Sequence, residues 1–360
     1  MTAARDQTRL AVESLAMVPV MFESVPASSE GSRRELLDRL AECDVVVLLL
    51  GAEYGEPAAR GMSPTEEEFD HAVSNGVPVL ALVQDDVERE PAQSEFLGRV
   101  RGTWEDGGLT GRFASAQDVG LAVVRALNDW KERQGRSDAT DAAARLAVDL
   151  ASAEDRRGYG QYDAQLRTVI VPTLDRPLLD AISLGDSGLP DDIGMLMRTS
   201  GLAGNEIGLT AAVLERRIVV SSREQEVPRG FVTPTGGVVI EVSVASQGMM
   251  GGSILEGPRV RDAISRALSF ASRVWGRIDQ RDEVRDCMAM TAVPEPAQKT
   301  FSDEMHTGNR ITMGSMSTGP VLLAPQQPIQ FRRADLERAE TTNRLYAETR
   351  QAFADIGSLQ

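Results

Sequence analysis

The pattern of apolar and polar positions changes character partway along the chain. Through residue 133, short apolar runs alternate with amphipathic stretches. Met17–Phe22 predicts a short strand, and Ser32–Cys43 a helix with Leu36, Leu37 and Leu40 on one face. Asp44–Leu50 is an unbroken apolar strand, as expected in a parallel sheet buried on both sides. A glycine-rich loop, Gly51–Met62, leads to a helix over Ser63–Asn75, closed by Gly76 where a left-handed residue is needed. Val77–Val83 is the next buried strand. Helices near Gln93–Val100 and over Val119–Glu132 complete a doubly wound α/β domain with a parallel sheet.

Residues 134–142 are small and polar and read as a linker. Beyond them the pattern is that of an α+β domain, 143–360. Val169–Pro172 is a short strand, and Leu209–Ser221 and Gly230–Ala245 are two paired strands, with alternation at Val238, Ile240, Val242 and Val244. Arg259–Ile278 carries one apolar stripe of Val260, Ile264, Ala267, Leu268, Ala271, Val274, Trp275 and Ile278, a core face needing no ligand. Cys287–Val293 reads as a strand, Asp335–Phe353 as a terminal helix, and 305–328 as a mobile loop.

Composition narrows the chemistry. The net charge of −16 supplies no basic face for nucleic acid. No apolar run approaches the length of a membrane span, and the first residues lack a signal core, so a cytoplasmic protein is expected. Cys43, Cys287, His71 and His306 are the whole stock of cysteine and histidine; this excludes a disulfide framework, a cysteine zinc site and a histidine-based triad. Neither a metal nor a bound cofactor is expected. Residues 1–133 hold 13 basic against 24 acidic residues and carry most of the negative charge.

The stretch Gly51-Ala-Glu-Tyr-Gly55 … Ser63–Ala72 follows the carboxyl end of a parallel strand, where open α/β sheets build ligand crevices. Ser63-Pro64-Thr65-Glu66 is a capping box, which accounts for Glu66 structurally. Phe69, Ala72 and Val73 form the buried face, with Glu67 opposite in solvent. Glu68 lies one turn before Ala72, near the crevice; it is either a solvated helix residue or a carboxylate able to hold a ribose hydroxyl or stabilise an oxocarbenium ion. Tyr54 stacks on a base or packs locally. Glu23 follows a strand end and can face the crevice. Asp44 is a turn residue or a ribose contact. His71 reads as solvated. Gly248–Ser253 is a phosphate nest or a hairpin exit, without the lysine of a P-loop. Arg259, Arg261, Arg266, Arg273 and Arg277 form a solvated helix face or meet the acidic first domain.

Together these motifs resemble a family. Val18-Pro-Val-Met-Phe-Glu23, Cys43–Gly51, Tyr54-Gly55, Ser63–Ala72 and Gly76-Val-Pro-Val-Leu-Ala81 are similar to the pattern of the bacterial TIR-like family called domain of unknown function 4062, over residues 5–83. That family is similar to TIR domains and nucleoside deoxyribosyltransferases, which cleave or exchange an N-glycosidic bond with a helix glutamate. Their "ExGxA" pattern falls on Glu68–Ala72. The resemblance implies a signalling or antiphage-defence protein that binds NAD or another nucleotide. Glu68 would be catalytic, Glu23, Tyr54 and Asp44 substrate-binding, the site completed by self-association, and the second domain regulatory or sensor-like. Members open with a strand and an "SST(F/Y)xDL" turn; here Met1 falls almost inside the helix that follows, Ala4–Leu15, so the first strand is expected to be missing. The alternative is a non-catalytic interaction module that keeps the fold.

Overall fold

A computed structural model describes residues 2–21, 32–57, 61–102, 110–153, 165–204, 206–222, 228–247, 253–294, 299–303, 322–323 and 327–355. The chain divides into two compact units, Met1–Gln134 and Gly135–Gln360.

The first unit runs α1 (Thr2–Ser14), α2 (Ser32–Ala41), β1 (Val46–Leu50), α3 (Pro64–Ser74), β2 (Val79–Gln84), α4 (Pro91–Arg101), β3 (Gly111–Phe113) and the start of α5 (Ala116–Ser152). Its three strands are parallel in the order β1-β2-β3, with Val46 opposite Val79 and Leu82 opposite Gly111. Side chains alternate along β1 and β2. Leu48, Leu50, Ala81 and Val83 meet Phe96, Leu97 and Val100 of α4. Val47, Leu49, Leu80 and Leu82 meet Ala4 and Ala11 of α1 and Val119, Val123 and Leu127 of α5. Helices therefore cover both faces, which is why the strands are continuously apolar. Leu40 of α2 and Ala72 of α3 share a third cluster with Val46, Val77 and Val79.

Two expectations change here. Met17–Met21 is irregular, with Val18 88% exposed, so the predicted strand does not form in the described part of Met17–Phe22. Pro19 has no N–H for a ladder, and apolar character alone does not create a strand partner. Among the described residues no strand precedes β1.

The predicted linker 134–142 is helical throughout, inside α5. Its polar character reflects solvent rather than a break: residues 131–138 are all exposed, and burial resumes at Ala139 and Ala143, one turn apart. Gly135 is the weakest helix former there, and single glycines are tolerated.

The second unit contains β4 (Gln165–Pro172), α6 (Ala181–Gly185), α7 (Gly188–Thr199), β5 (Leu209–Leu214), β6 (Arg217–Ser222), β7 (Arg229–Val232), β8 (Val238–Ser243), β9 (Ala245–Gln247), β10 (Ser253–Glu256), α8 (Gly257–Ile278), β11 (Asp286–Pro294), β12 (Lys299–Ser302), β13 (Leu322–Leu323), β14 (Ile329–Arg332), a 3₁₀ turn at Arg333–Asp335, and α9 (Ala339–Asp355). An antiparallel sheet runs β13-β11-β4-β8-β7-β6-β5, with β14 also on β11; a small sheet runs β12-β10-β9. The architecture is α+β, as expected. The α8 stripe is buried as read, and Trp275 Nε1 donates to the Gly236 carbonyl at 2.7 Å. On the other side, Val169, Val171, Val239, Met288 and Met290 pack on Ala143, Ala147, Leu150 and Ala151 of α5.

The two long strands expected at 209–221 and 230–245 are each divided. Glu215 and Arg216 both take positive φ, 48° and 62°, and turn β5 back onto β6. Residues 233–237, with Gly236 at φ 84°, turn β7 onto β8. The terminal helix starts at Ala339, after the 3₁₀ turn, instead of at Asp335. Most of the 305–328 loop lies outside the described residues, as do residues 248–252 of the glycine-rich segment.

Candidate functional site

At the carboxyl end of β1 the chain leaves the sheet through Gly51, whose carbonyl accepts from Gln93 Nε2 at 3.2 Å. The loop is tied to the start of α4 in both directions: Tyr54 N donates to the Glu90 carboxylate at 2.8 Å, and Glu90 N donates to the Ala52 carbonyl at 3.1 Å. The Tyr54 ring meets Phe96 edge-on at 6.5 Å, and Phe96 meets Phe69 of α3 at 5.7 Å. An aromatic cluster thus fixes the loop over the α3–α4 pair.

Ser63 caps α3, its Oγ accepting from Glu66 N at 3.3 Å, and Pro64 opens the first turn. Half of the capping box is present. The return bond from Glu66 is not made, because Ser63 N donates instead to the Tyr54 hydroxyl oxygen at 3.2 Å. The Glu66 carboxylate, 9% exposed, accepts from the Tyr54 hydroxyl and from Arg99 of α4, which also bridges to Asp70. The buried carboxylate in this network is therefore Glu66, the residue expected to serve only as a cap. Glu67, expected in solvent, is 12% exposed and held by the fork of Arg33 from α2, with Nε to Oε2 at 2.6 Å.

Glu68 is half-buried. It precedes by one turn Ala72, which is fully buried in the cluster with Val46 and Val79, so the sheet side of α3 is its side. Val73, assigned to the buried face, is 57% exposed. His71, expected in solvent, is half-buried. Gly76 has φ 71°, as its position after the helix required.

The remaining predicted site residues are not gathered here. Asp44 is exposed in a bend before β1, at the amino end of the strand, whereas Tyr54 follows its carboxyl end. Five strand residues separate those ends by roughly 16 Å. Glu23 lies outside the described residues. Sequence reading missed Arg99, Asp70, Glu90 and Arg33. Arg99 carried a signal, since it sits three residues after the core Phe96 and faces the same way.

Chemically, Glu66 is an anion already compensated by a guanidinium and a phenol, an arrangement suited to locking loop and helix together. Both environments disfavour the thiolate: burial pushes Cys287 up to about 12, and burial with the nearby Asp44 and Glu42 raises Cys43. Among the described residues no cluster of three acidic, histidine or cysteine side chains is placed to hold a metal, and no helix is long and apolar enough to cross a membrane. Four of the five arginines of α8 are engaged within their own unit: Arg277 pairs with Asp192, Arg266 with Asp262, Arg259 with Glu256, and Arg261 lies over Tyr346.

No curated protein and no solved structure matches the chain. Residues 1–128, which contain β1, the Tyr54 loop, α3 and Arg99, match the model of the family described as Domain of unknown function (DUF4062).

Proposed function

We propose that the N-terminal unit binds a nucleotide at the carboxyl end of β1 and cleaves its N-glycosidic bond, with NAD or a nucleoside as the substrate class and Glu68 as the working carboxylate. The observation supporting this reading is the half-buried position of Glu68 one turn before the fully buried Ala72. Glu66 is charge-compensated between α3 and α4, and Glu67 is forked by α2. Glu68 sits half-buried on the sheet side. A carboxylate there stabilises the positive charge that develops on the ribosyl carbon as the bond to the base breaks. Tyr54 acts through the loop it fixes, because its hydroxyl is committed to Glu66. A signalling or antiphage-defence role, with the second unit as regulator or sensor, follows from the resemblance to TIR domains.

The test is NAD cleavage by the full chain. Glu68→Gln keeps the shape and removes the charge, so turnover should fall about 100-fold, or about 2.7 kcal/mol of barrier, with binding little changed. Glu66→Gln should leave the chemistry largely intact and weaken the fold. Equal small effects would make both glutamates structural and end the catalytic reading.

The second reading is a non-catalytic interaction module. It is favoured by the mutual engagement of Tyr54, Glu66 and Arg99, which leaves that hydroxyl and that carboxylate facing each other. Wild type that neither cleaves nor binds NAD or nucleosides supports it.

A further inference from the structure

We infer that Arg89 holds the phosphate of a nucleotide at the carboxyl end of the parallel sheet. The inference rests on the nucleotide-binding reading above and deepens it, since it selects the phosphate-bearing ligand over the bare nucleoside.

The parallel strands β1 and β2 end together, with Leu50 opposite Val83. Gly51 and Gln84 therefore leave the sheet side by side, where open α/β sheets take their ligands. The loops beyond them are joined: Glu90 N donates to the Ala52 carbonyl at 3.1 Å, and the Glu90 carboxylate accepts from Tyr54 N at 2.8 Å. Arg89 stands one residue before this junction and is half-buried. Its Nη2 donates to the Gln84 carbonyl, which anchors the guanidinium at the strand end. Glu68 lies in the helix that follows β1, and Arg89 in the loop that follows β2.

The binding capacity of this guanidinium is unspent. Among the described residues its hydrogen bonding is limited to Gln84, and its Nε is buried without a hydrogen-bond partner. Acidic neighbours do not take it up. Asp85 is turned to Arg112 at 3.5 Å, the Glu90 carboxylate is held by Tyr54 N, and Asp86 and Glu88 are exposed. Arg99 and Arg33, by contrast, are committed to Glu66, Asp70 and Glu67. A buried donor left without an acceptor costs free energy that the fold alone does not recover. A phosphate seated against the Nε edge supplies the acceptor, and the planar fork of arginine matches its oxygens. Asp86 and Glu88 act on that phosphate only through screening solvent, whereas the guanidinium meets it in contact.

The experiment is titration calorimetry of the full-length protein with nicotinamide riboside and with its 5′-monophosphate, which differ only in the phosphate. Wild type should bind the monophosphate about tenfold more tightly, the low end for hydrogen bonds to a charged group because Arg89 is only half-buried. Arg89→Met should abolish that preference and leave the affinity for the riboside unchanged. Arg89→Lys keeps the charge but loses the fork, and should restore part of the preference. Wild type that binds the two alike, or prefers the riboside, overturns the inference. So does an Arg89→Met variant that weakens both ligands equally, the mark of a structural arginine. Inorganic phosphate that binds as tightly as the monophosphate also overturns it, because the nucleoside would then add nothing. Should Arg89→Met fail to fold, the wild-type comparison and the lysine variant decide. Cleavage is scored separately. A phosphate preference without cleavage supports the role of Arg89 and ends that of Glu68, and cleavage without the preference does the reverse. Binding of neither compound overturns both.

Discussion

Arg167 of β4 offers the sharpest test of how the second unit is held together. It stands opposite Glu241 of β8, and the two side chains are 5% and 6% exposed. Arg167 Nε reaches the Glu241 carboxylate at 2.7 Å, while Nη1 donates to the Ala151 and Ala153 carbonyls at 2.8 Å. One guanidinium thus neutralises a buried anion and satisfies carbonyls at the end of α5, where a helix has no donors of its own. Arg167→Met leaves both demands unmet. Breaking a buried pair costs about 3–5 kcal/mol, and the exposed side of the Ala153 carbonyl lets water recover part of the rest, so about 4 kcal/mol is expected. Glu241→Leu, which strands the cation but keeps its carbonyl bonds, should cost about 3 kcal/mol. The double variant should cost only about 1–2 kcal/mol, because apolar replacement of an ion pair is nearly neutral and only the helix end is left unserved. Native-state hydrogen exchange at β4 and β8 amides reads this unit alone and avoids a global two-state assumption. Additive single effects, or an Arg167→Met cost below about 1 kcal/mol, would show that the pair does not act as described.

Three further outcomes follow from the same geometry. Gly135→Ala, at an exposed helical position with open space around it, should stabilise α5 by about 0.5–1 kcal/mol, read from exchange across residues 131–142; no gain would mean that the segment is not a helix in solution. Arg99→Met should destabilise the first unit by about 1–3 kcal/mol in thermal unfolding, toward the low end because Arg99 is 46% exposed, and a neutral result would remove Glu66 from the network. Maleimide should label Cys43 slowly, at a rate still rising with pH beyond where an ordinary thiol levels off, since burial raises its pKa and lowers the thiolate fraction; Cys287, pushed up to about 12, should stay unlabelled until the protein unfolds, and rapid native labelling of it would contradict its burial.

What the sequence determined by itself is local and periodic. The unbroken apolar run before Leu50 could only be a strand buried on both faces, and α1, α4 and α5 cover it as that demands. The α8 stripe, the Ser63 cap and the left-handed Gly76 depend on spacing within a few residues, so they were legible. Polar pattern was less informative. An exposed stretch of helix and a linker look alike in composition, and only packing at Ala139 and Ala143 distinguishes them. A strand and a tight hairpin also look alike when the turn residues are Glu215 and Arg216 instead of glycine and asparagine.

The site was decided by tertiary structure. Successive residues of a helix point about 100° apart, so Glu66, Glu67 and Glu68 were bound to face three directions. Which partners Glu66 and Glu67 met depended on Arg99 and Arg33, each more than thirty residues away along the chain. Sequence spacing carries no record of such pairings, because what selects them is the packing of α2 and α4 against α3 after the sheet has formed.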